Sequence, residues 1–255
     1  MKEKTFNKLF NVFLIAGVAT CVTIACVLNI IDPQNTVSPV LQIISAFGAV
    51  MGITSTVLAA NGSIFTFLFG LCDVLIFTYT LFDQKLPATL VLYLFYVIPM
   101  EFIGFYKWRK KGASASAKVT AQHLAGKKWI KYGLLFLGIY AAVFAFSPLV
   151  SKLAASLDPS WASHPAPLAK TLFDCAVTTC NIVAMLMMAQ AYVEQWYIWV
   201  IVNITYICLW SFMFMSGKES NYTIMQLIKY IFYLLNALNA IRIWRQLSRV
   251  ESPES

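Results

Sequence analysis

Long apolar runs separated by short polar segments dominate the sequence. Most runs are about 20 residues long, the length that a helix needs to cross the hydrocarbon core of a bilayer. The first run is longer than the apolar core of a secretory signal peptide, and no small-residue cleavage motif follows it, so we expect it to remain as a helix. The pattern predicts eight membrane-spanning helices, at about 10–31, 39–60, 62–82, 86–107, 131–150, 168–190, 192–215 and 220–243.

The composition is also that of a membrane protein. Hydrophobic residues make up 60% of the chain and charged residues only 12%, whereas a soluble domain has about 25% charged residues. The longest hydrophilic stretches, near 109–130 and 151–167, are short enough to be loops. Because the basic residues behind the net charge of +8 cluster in loops, we attribute this charge to membrane topology and expect no nucleic-acid partner.

The distribution of lysine and arginine predicts the orientation of the chain. Cytoplasmic loops of membrane proteins carry an excess of these residues. If the N-terminus is inside, eight spans bring the 108–130 loop and the C-terminus inside as well. Both termini are therefore predicted to be cytoplasmic. Only 5 of the 19 basic residues then lie outside, namely Lys85, Lys152, Lys170, Lys218 and Lys229.

Two groups of three spans look like copies of one unit. The second and the sixth spans begin about 130 residues apart. Asp73 and Asn203, 130 positions apart, are each a lone polar residue in the middle helix of their group. Each group closes with a tryptophan beside basic residues, at Trp108 and Trp244. We therefore predict an internal repeat that is visible in hydropathy and landmarks rather than in sequence identity.

The position of the linking helix predicts how the two copies are related. One span, 131–150, separates them, and two three-span units joined by an odd number of helices have the same orientation. Parallel repeats around a midplane site are a transporter architecture. The predicted segments are a tail with an extra helix (1–38), the first repeat (39–108), a basic loop with the linking helix and an outer loop (109–167), the second repeat (168–244) and a tail (245–255).

Four ionisable residues fall within the predicted spans: Asp73, Glu101, Asp174 and Lys229. Charged groups are costly inside a bilayer and are functional candidates by default. Lys229 also fits a side chain that extends to the nearer membrane surface, and Asp174 fits a helix cap or an ion pair. Asp73 is the most central, and Glu101 follows a kink-prone proline. We take Asp73 and Glu101 as candidate site residues.

The seventh span carries a stripe of aromatic and amide side chains. Trp196, Trp199 and Asn203 are spaced by three and four residues, which is one face of a helix. The same face continues to Tyr206 and Trp210. Lipid offers no partner to an amide at mid-depth, so this face is predicted to point into the protein. It suits a flat ligand with polar edges, neutral or cationic, through stacking and cation–π attraction.

Further polar side chains lie in the second and eighth spans. Gln42 is near the start of the second, and Asn236 and Asn239 follow Tyr230 and Tyr233 at spacings of three in the eighth. In membrane proteins such amides often serve only to form a hydrogen bond between neighbouring helices, which stabilises their association by about 1 kcal/mol. As site residues they would line the same cavity as the stripe.

Catalytic chemistry is not indicated. The two histidines, His123 and His164, fall in predicted loops, and no metal-binding, nucleophile or phosphate-binding motif is present. The six cysteines lie in apolar segments without a C-x-x-C pair, which is typical of small buried side chains. We predict neither enzymatic activity, nor a cofactor, nor a metal site.

The chain resembles the PnuC family of bacterial nicotinamide riboside transporters. The most specific part is the W-x-x-W-x-x-x-N pattern within YVEQWYIWVIVN. The resemblance covers the seven spans from about 39 to 244, and the first span is similar to an additional helix of some members. The other segments that carry it are FGLCDVLIFTYTLF (69–82), YVIPMEFIGFYKW (96–108), IVAMLMMAQ (182–190) and LNAIRIW (238–244).

The resemblance implies a fold and a mode of transport. It implies two parallel three-helix bundles around a linking helix, related to the SWEET sugar transporters, in a homotrimer of the bacterial inner membrane. It implies facilitated diffusion, made one-way by intracellular phosphorylation of the nicotinamide riboside. Trp196, Trp199 and Asn203 would hold the nicotinamide, and a ribose site would include Tyr230, Asn236 and Asn239.

Two departures from the family leave the substrate open. Asp73 and Glu101 stand where we expect amides in related sequences. Additional carboxylates would either strengthen the binding of a cation or mark a different substrate. Thiamine, another flat cation, is the main alternative, followed by riboflavin or a deoxynucleoside. A membrane receptor or assembly subunit that binds the ligand without moving it is a hypothesis from another class.

Overall fold

Every regular element in the described part of the chain is helical. The computed structural model describes residues 2–33, 38–83, 87–157, 168–215 and 221–249. The predicted outer loop after the linking helix and the end of the C-terminal tail lie mostly outside these ranges. The elements are α1 (Lys2–Ile31), α2 (Pro39–Ala60), α3 (Thr66–Asp83), α4 (Pro87–Leu92), a π-helical segment (Tyr93–Val97), α5 (Ile98–Lys110), α6 (Lys127–Leu157), α7 (Leu168–Ala189), α8 (Gln195–Met215) and α9 (Asn221–Leu247).

Six helical stretches of the described chain are long and apolar enough to cross a membrane: Glu3–Ile31, Pro39–Ala60, Leu90–Lys110, Lys127–Val150, Thr171–Ala189 and Gln195–Phe212. This chain is therefore a multi-pass helical membrane protein. These stretches match six of the eight predicted spans, and the other two predicted spans correspond to α3 and α9. The apolar part of α3, Thr66–Thr80, is shorter, and α9 is long enough but carries Lys229, Asn236 and Asn239 among its apolar residues.

The first helices of the two predicted repeats, α2 and α7, end in the same conformation. Gly62 (φ 69°) and Ala191 (φ 56°) both adopt left-handed backbone, which terminates a helix. The Gly62 amide donates to the Ala59 carbonyl at 2.9 Å, and the Ala191 amide donates to the Met188 carbonyl at 2.8 Å. The two turns are thus 129 positions apart, within one residue of the spacing that the sequence predicts.

Two buried tryptophans connect the predicted repeats reciprocally. The indole Nε1 of Trp108, at the end of α5, donates to the Met188 carbonyl at 2.8 Å. That of Trp244, near the end of α9, donates to the Ala59 carbonyl at 3.0 Å. Both side chains are completely buried, and their ring centroids are 5.6 Å apart. We call the end of the bundle that contains Trp108, Trp196 and Trp244 the tryptophan end.

The loop between α5 and α6 closes over the tryptophan end. Within residues 111–126, the Val119 amide donates to the Gly62 carbonyl and the Gln122 amide to the Ala191 carbonyl, both at 2.9 Å. The loop therefore bonds to both helix-terminating turns. Its His123 Nδ1 lies 2.9 Å from Glu194 Oε1. Although much of this loop is polar, its backbone is fixed on the bundle.

The N-terminal helix α1 packs across α2 and α9. Leu14, Val18 and Val22 form a buried cluster with α2 and with the partly buried Tyr233 of α9. At the tryptophan end, Arg242 of α9 pairs with Glu3 of α1 at 3.5 Å. One face of α1 thus covers the line along which α2 and α9 meet.

Trp108→Phe and Trp244→Phe are expected to lower stability by similar amounts. Each carbonyl accepts one bond from a backbone amide and one from the indole, and each variant removes the indole donor and leaves a void. The expected decrease in the free energy of unfolding is about 1–3 kcal/mol. Thermal unfolding in detergent measures the change. Trp129→Phe is the control, because Trp129 is 55% exposed and its indole bonds only within the adjoining loop, to the Leu124 carbonyl. An equal loss of stability in the control would contradict the role of the two buried indoles.

Candidate functional site

The predicted stripe of α8 has a packed part and a more accessible part. Trp196 is only 4% exposed, and its ring meets that of Trp244 edge-on at 5.9 Å. It therefore belongs to the core of the tryptophan end. Trp199 is half-buried and packs against the same cluster. Asn203 is 5% exposed, which agrees with its predicted inward orientation.

Farther along α8, the stripe meets two tyrosines of α9. The Tyr206 and Tyr230 rings stack at a centroid distance of 4.4 Å and an interplanar angle of 16°. Tyr233 stands edge-on to Tyr230, with 6.1 Å between centroids. Three tyrosines therefore form a continuous aromatic surface shared by α8 and α9, one to two turns beyond Asn203 and away from the tryptophan end.

The next two polar residues of α9 have different surroundings. Asn236 is 1% exposed, and its Oδ1 has no hydrogen-bond partner among the described residues. The Oδ1 of Asn239 accepts a hydrogen bond from Arg242 at 2.9 Å, and Arg242 also bonds to Asn7 of α1. Asn236 is thus available to a ligand, whereas Asn239 is connected to the N-terminal helix.

Asp73 of α3 meets the tyrosine surface beside a glycine of α2. A Cβ atom added to Gly52 would lie 2.7 Å from Asp73 Oδ2 and 2.7 Å from Tyr233 Oη. The missing side chain of Gly52 therefore lets a carboxylate and a phenol approach the same point of the backbone. Tyr93 is close enough to interact electrostatically with both Asp73 and Tyr206. We call Gly52, Asp73, Tyr93 and Tyr233 the Asp73 cluster.

Glu101 lies beside the Asp73 cluster, one helical turn nearer to the start of α3. It is 9% exposed, and a Cβ atom on Gly70 would lie 2.9 Å from its Oε2 and 3.0 Å from Ser55 Oγ. Ser55 also donates to the Thr66 carbonyl at 2.8 Å. The carboxyl groups of Asp73 and Glu101, the two that we took as candidate site residues, are therefore neighbours.

Gln42 does not share these surroundings. It lies ten residues before Gly52 along α2, which is about 15 Å along a helix. It is near the end of α2 that is opposite to the tryptophan end. The structure thus brings Asp73, Glu101 and Tyr230 into one region with the α8 stripe, and leaves Gln42 outside it. The side chain of Asp174 is not among those described.

Two residues near the candidate site, Tyr93 and Gln195, were not predicted from the sequence. Tyr93 begins a π-helical segment, a distortion that is frequent at functional sites but that no sequence pattern here announces. Gln195 is completely buried, and neither polar atom of its amide has a partner among the described residues. A lone glutamine at the start of α8 was a detectable signal, because it lies on the side of α8 that carries Trp199.

Several buried polar atoms at the tryptophan half of α8 and α9 lack partners. An unsatisfied buried amide costs about 1–3 kcal/mol, so such atoms indicate a ligand or ordered water. Together, stacked aromatic rings, unpaired amides and adjacent carboxylates match a flat cation with hydrogen-bonding substituents. In the described part, these atoms are Gln195 Nε2 and Oε1, Trp196 Nε1, Asn236 Oδ1 and Asn239 Nδ2.

A protein-family comparison decides the class of the molecule. The model described as nicotinamide mononucleotide transporter matches residues 42–246, which include all of the site residues discussed above. The chain belongs to the nicotinamide mononucleotide transporter family. The resemblance to PnuC proteins is thereby confirmed, and so is the expectation that the chain is a transporter rather than an enzyme.

Individual members of the nicotinamide mononucleotide transporter family are similar over most of their length. The nicotinamide riboside transporter PnuC of Neisseria mucosa is 29% identical over 213 residues, covering 82% of this chain and 74% of the relative. That of Escherichia coli is 27% identical over 213 residues, covering 80% and 85%. The crystal structure of the vitamin B3 transporter PnuC matches with a TM-score of 0.62 and 27% identity, over 94% of this chain and 93% of the other.

Proposed function

We propose that this protein carries nicotinamide riboside across the cytoplasmic membrane by facilitated diffusion. The observation that carries the proposal is the meeting of the Asp73 cluster with the Tyr206–Tyr230 stack. Nicotinamide riboside has a flat, positively charged ring with a carboxamide, which needs aromatic faces, a counter-charge and amide partners. The relatives named as nicotinamide riboside transporters support the same substrate. Phosphorylation in the cytoplasm would trap the product and make uptake one-way.

We propose separate roles for the parts of the site. Trp199 and Asn203, supported by Trp196, hold the nicotinamide, with the amide of Asn203 facing the carboxamide. The ribose is held by Tyr230 and Asn236. Four further predicted residues act from the edges. Asp73 supplies negative charge and Glu101 lies beside it, Asn239 joins the site to α1 through Arg242, and Gln42 lies toward the mouth opposite to the tryptophan end.

The charge of the site favours the riboside over the nucleotide. The family model is named for nicotinamide mononucleotide, which differs by a phosphate group. The carboxylate of Asp73 would repel that phosphate at short range. Thiamine remains the second candidate substrate, because it also is a flat cation that the Asp73 cluster can attract. Riboflavin and deoxynucleosides are neutral and would not use this charge.

The architecture that we propose is two parallel three-helix units joined by α6, with α1 as an additional helix. Residues 39–108 form the first unit and 168–244 the second. The equivalent turns at Gly62 and Ala191 and the reciprocal indole bonds support this pairing. Residues 1–38, 109–167 and 245–255 are the additional helix, the linking region and the tail.

We propose that the tryptophan end faces the cytoplasm. The start of α1, residues 107–131 and residues 242–249 together carry 14 of the 19 basic residues, which agrees with the positive-inside rule. Both termini are then cytoplasmic and the protein lies in the bacterial inner membrane. A homotrimer with one site per protomer follows only from the family resemblance. Two units around one site favour transport over a receptor that binds without release.

Tryptophan fluorescence of the purified protein is the test of the substrate. Nicotinamide riboside is expected to quench the emission at lower concentrations than thiamine or nicotinamide mononucleotide, because Trp199 faces the nicotinamide. Trp199→Phe should remove part of this quenching, while Trp129→Phe should retain it. Quenching by thiamine alone would replace the proposed substrate, and quenching by neither vitamin would reject a flat cation as the ligand.

A further inference from the structure

Lys229 stands beside the Asp73 cluster. Its Nζ lies 5.4 Å from the centroid of the Tyr233 ring, within the range of a cation–π contact. It also lies close enough to Asp73 for the two charges to interact, although they are not among the direct ion pairs of the described residues. The same phenol ring therefore meets an ammonium group on its face and comes near a carboxylate at Gly52.

A side chain that only reaches for the membrane surface would be positioned differently. Lys229 is eight residues into α9, which is about 12 Å from the start of the helix. Its ammonium group lies over Tyr233, four residues farther into α9, rather than toward Asn221. The alternative of a surface-seeking lysine thus does not explain this contact, and the interaction with Asp73 does.

The pairing meets an electrostatic need of the empty transporter. An isolated carboxylate in a low-dielectric region is costly, and a nearby cation lowers that cost. A bound cationic ring beside Asp73 would take over this role and would be repelled by the ammonium group of Lys229. A neutral ring would leave the Asp73–Lys229 interaction unchanged.

We propose that Lys229 is a tethered cation that competes with the positively charged ring of the substrate at the Asp73 cluster and thereby sets its affinity. This inference rests on the proposed function. It assigns Lys229 a role in selectivity and in release. When the site is empty, the positive charge of Lys229 offsets the negative charge of Asp73, so the empty protein can change conformation without an isolated carboxylate in the membrane. The cation is consequently bound less tightly than Asp73 alone would bind it, which favours release.

Two ligands that differ in ring charge test the proposal. Nicotinamide riboside is cationic, whereas its dihydro form has a neutral ring with the same carboxamide and ribose. Lys229→Met is expected to lower the Kd of the cationic ligand by about tenfold, equivalent to about 1.4 kcal/mol, and to leave the Kd of the neutral one unchanged. Lys229→Arg keeps the charge and should bind both ligands like the wild type.

A double-mutant cycle shows whether Lys229 acts through Asp73. In an Asp73→Asn background, Lys229→Met should improve binding of the cationic ligand less than it does beside Asp73, because direct repulsion remains but the competition for the carboxylate has gone. Lys152→Met is the matched control at an exposed lysine of α6. An equal change for both ligands, no change for the cation, or the same gain in both backgrounds would overturn the proposal. If the wild type binds neither ligand, the proposed function itself fails.

Discussion

Gly52→Ala is expected to weaken the binding of nicotinamide riboside at least tenfold. The new methyl group would lie 2.7 Å from both Asp73 Oδ2 and Tyr233 Oη, so at least one of these groups must move. Binding sites tolerate displacements of only about 0.5 Å. The expected loss is therefore tenfold or more, equivalent to at least about 1.4 kcal/mol. Titration of the purified variant by tryptophan fluorescence measures it.

Gly48→Ala is the matched control for this experiment. It adds the same methyl group one turn earlier in α2, at 2.7 Å from Ile76 Cγ2, where only apolar packing is affected. Both variants should lose thermal stability by about 1–3 kcal/mol, as overpacking predicts. Although the two variants lose similar amounts of stability, only Gly52→Ala should also bind nicotinamide riboside more weakly. Equal binding by the two variants would exclude the Asp73 cluster from the site.

Asn203→Leu is expected to reduce the affinity for nicotinamide riboside by about 100-fold. The substitution keeps a similar volume but removes both hydrogen-bonding atoms, and the loss of a partner for a buried polar group costs about 1–3 kcal/mol. Asn203 is 5% exposed, so water would not replace the lost contact to the carboxamide. Uptake of labelled substrate by cells that express the variant at wild-type levels provides the measurement.

A second asparagine offers a control with the same chemistry. Asn181 of α7 donates through Nδ2 to the Val177 carbonyl of its own helix at 2.8 Å, so it has a local partner. Asn181→Leu should therefore transport at nearly the wild-type rate. If the two leucine variants lose uptake equally, the effect belongs to helix packing, and Asn203 has no special contact with the ligand.

The periodic features of the chain were predictable from sequence because they depend on local spacing. Trp196, Trp199 and Asn203 share a helix face whatever the tertiary structure is, and the burial of Asn203 follows from the absence of partners in lipid. The same holds for Trp108 and Trp244, whose equivalent positions indicated a repeat. Hydropathy sufficed for the six long apolar helices, and α3 and α9 are the two predicted spans that length and composition alone do not confirm.

Features that depend on helix packing were not predictable. Tyr230, Tyr233, Asn236 and Asn239 follow one another at intervals of three residues. Because the helix has 3.6 residues per turn, such a series turns progressively around its axis. For this reason Tyr230 reaches α8, whereas Asn239 is bonded to Arg242. The partner of Lys229 could not be read from α9 alone, because Asp73 comes from α3 and approaches only where α2 has Gly52.

Counterflow into liposomes is the most direct test of the central claim that the site carries nicotinamide riboside across the membrane. Vesicles containing the purified protein and unlabelled nicotinamide riboside are placed in a low concentration of the labelled compound. We expect a transient accumulation of label well above the number of protein molecules, which Gly52→Ala strongly reduces and Gly48→Ala retains. Label bound only in proportion to the protein, without accumulation, would mean that the chain binds its ligand but does not transport it.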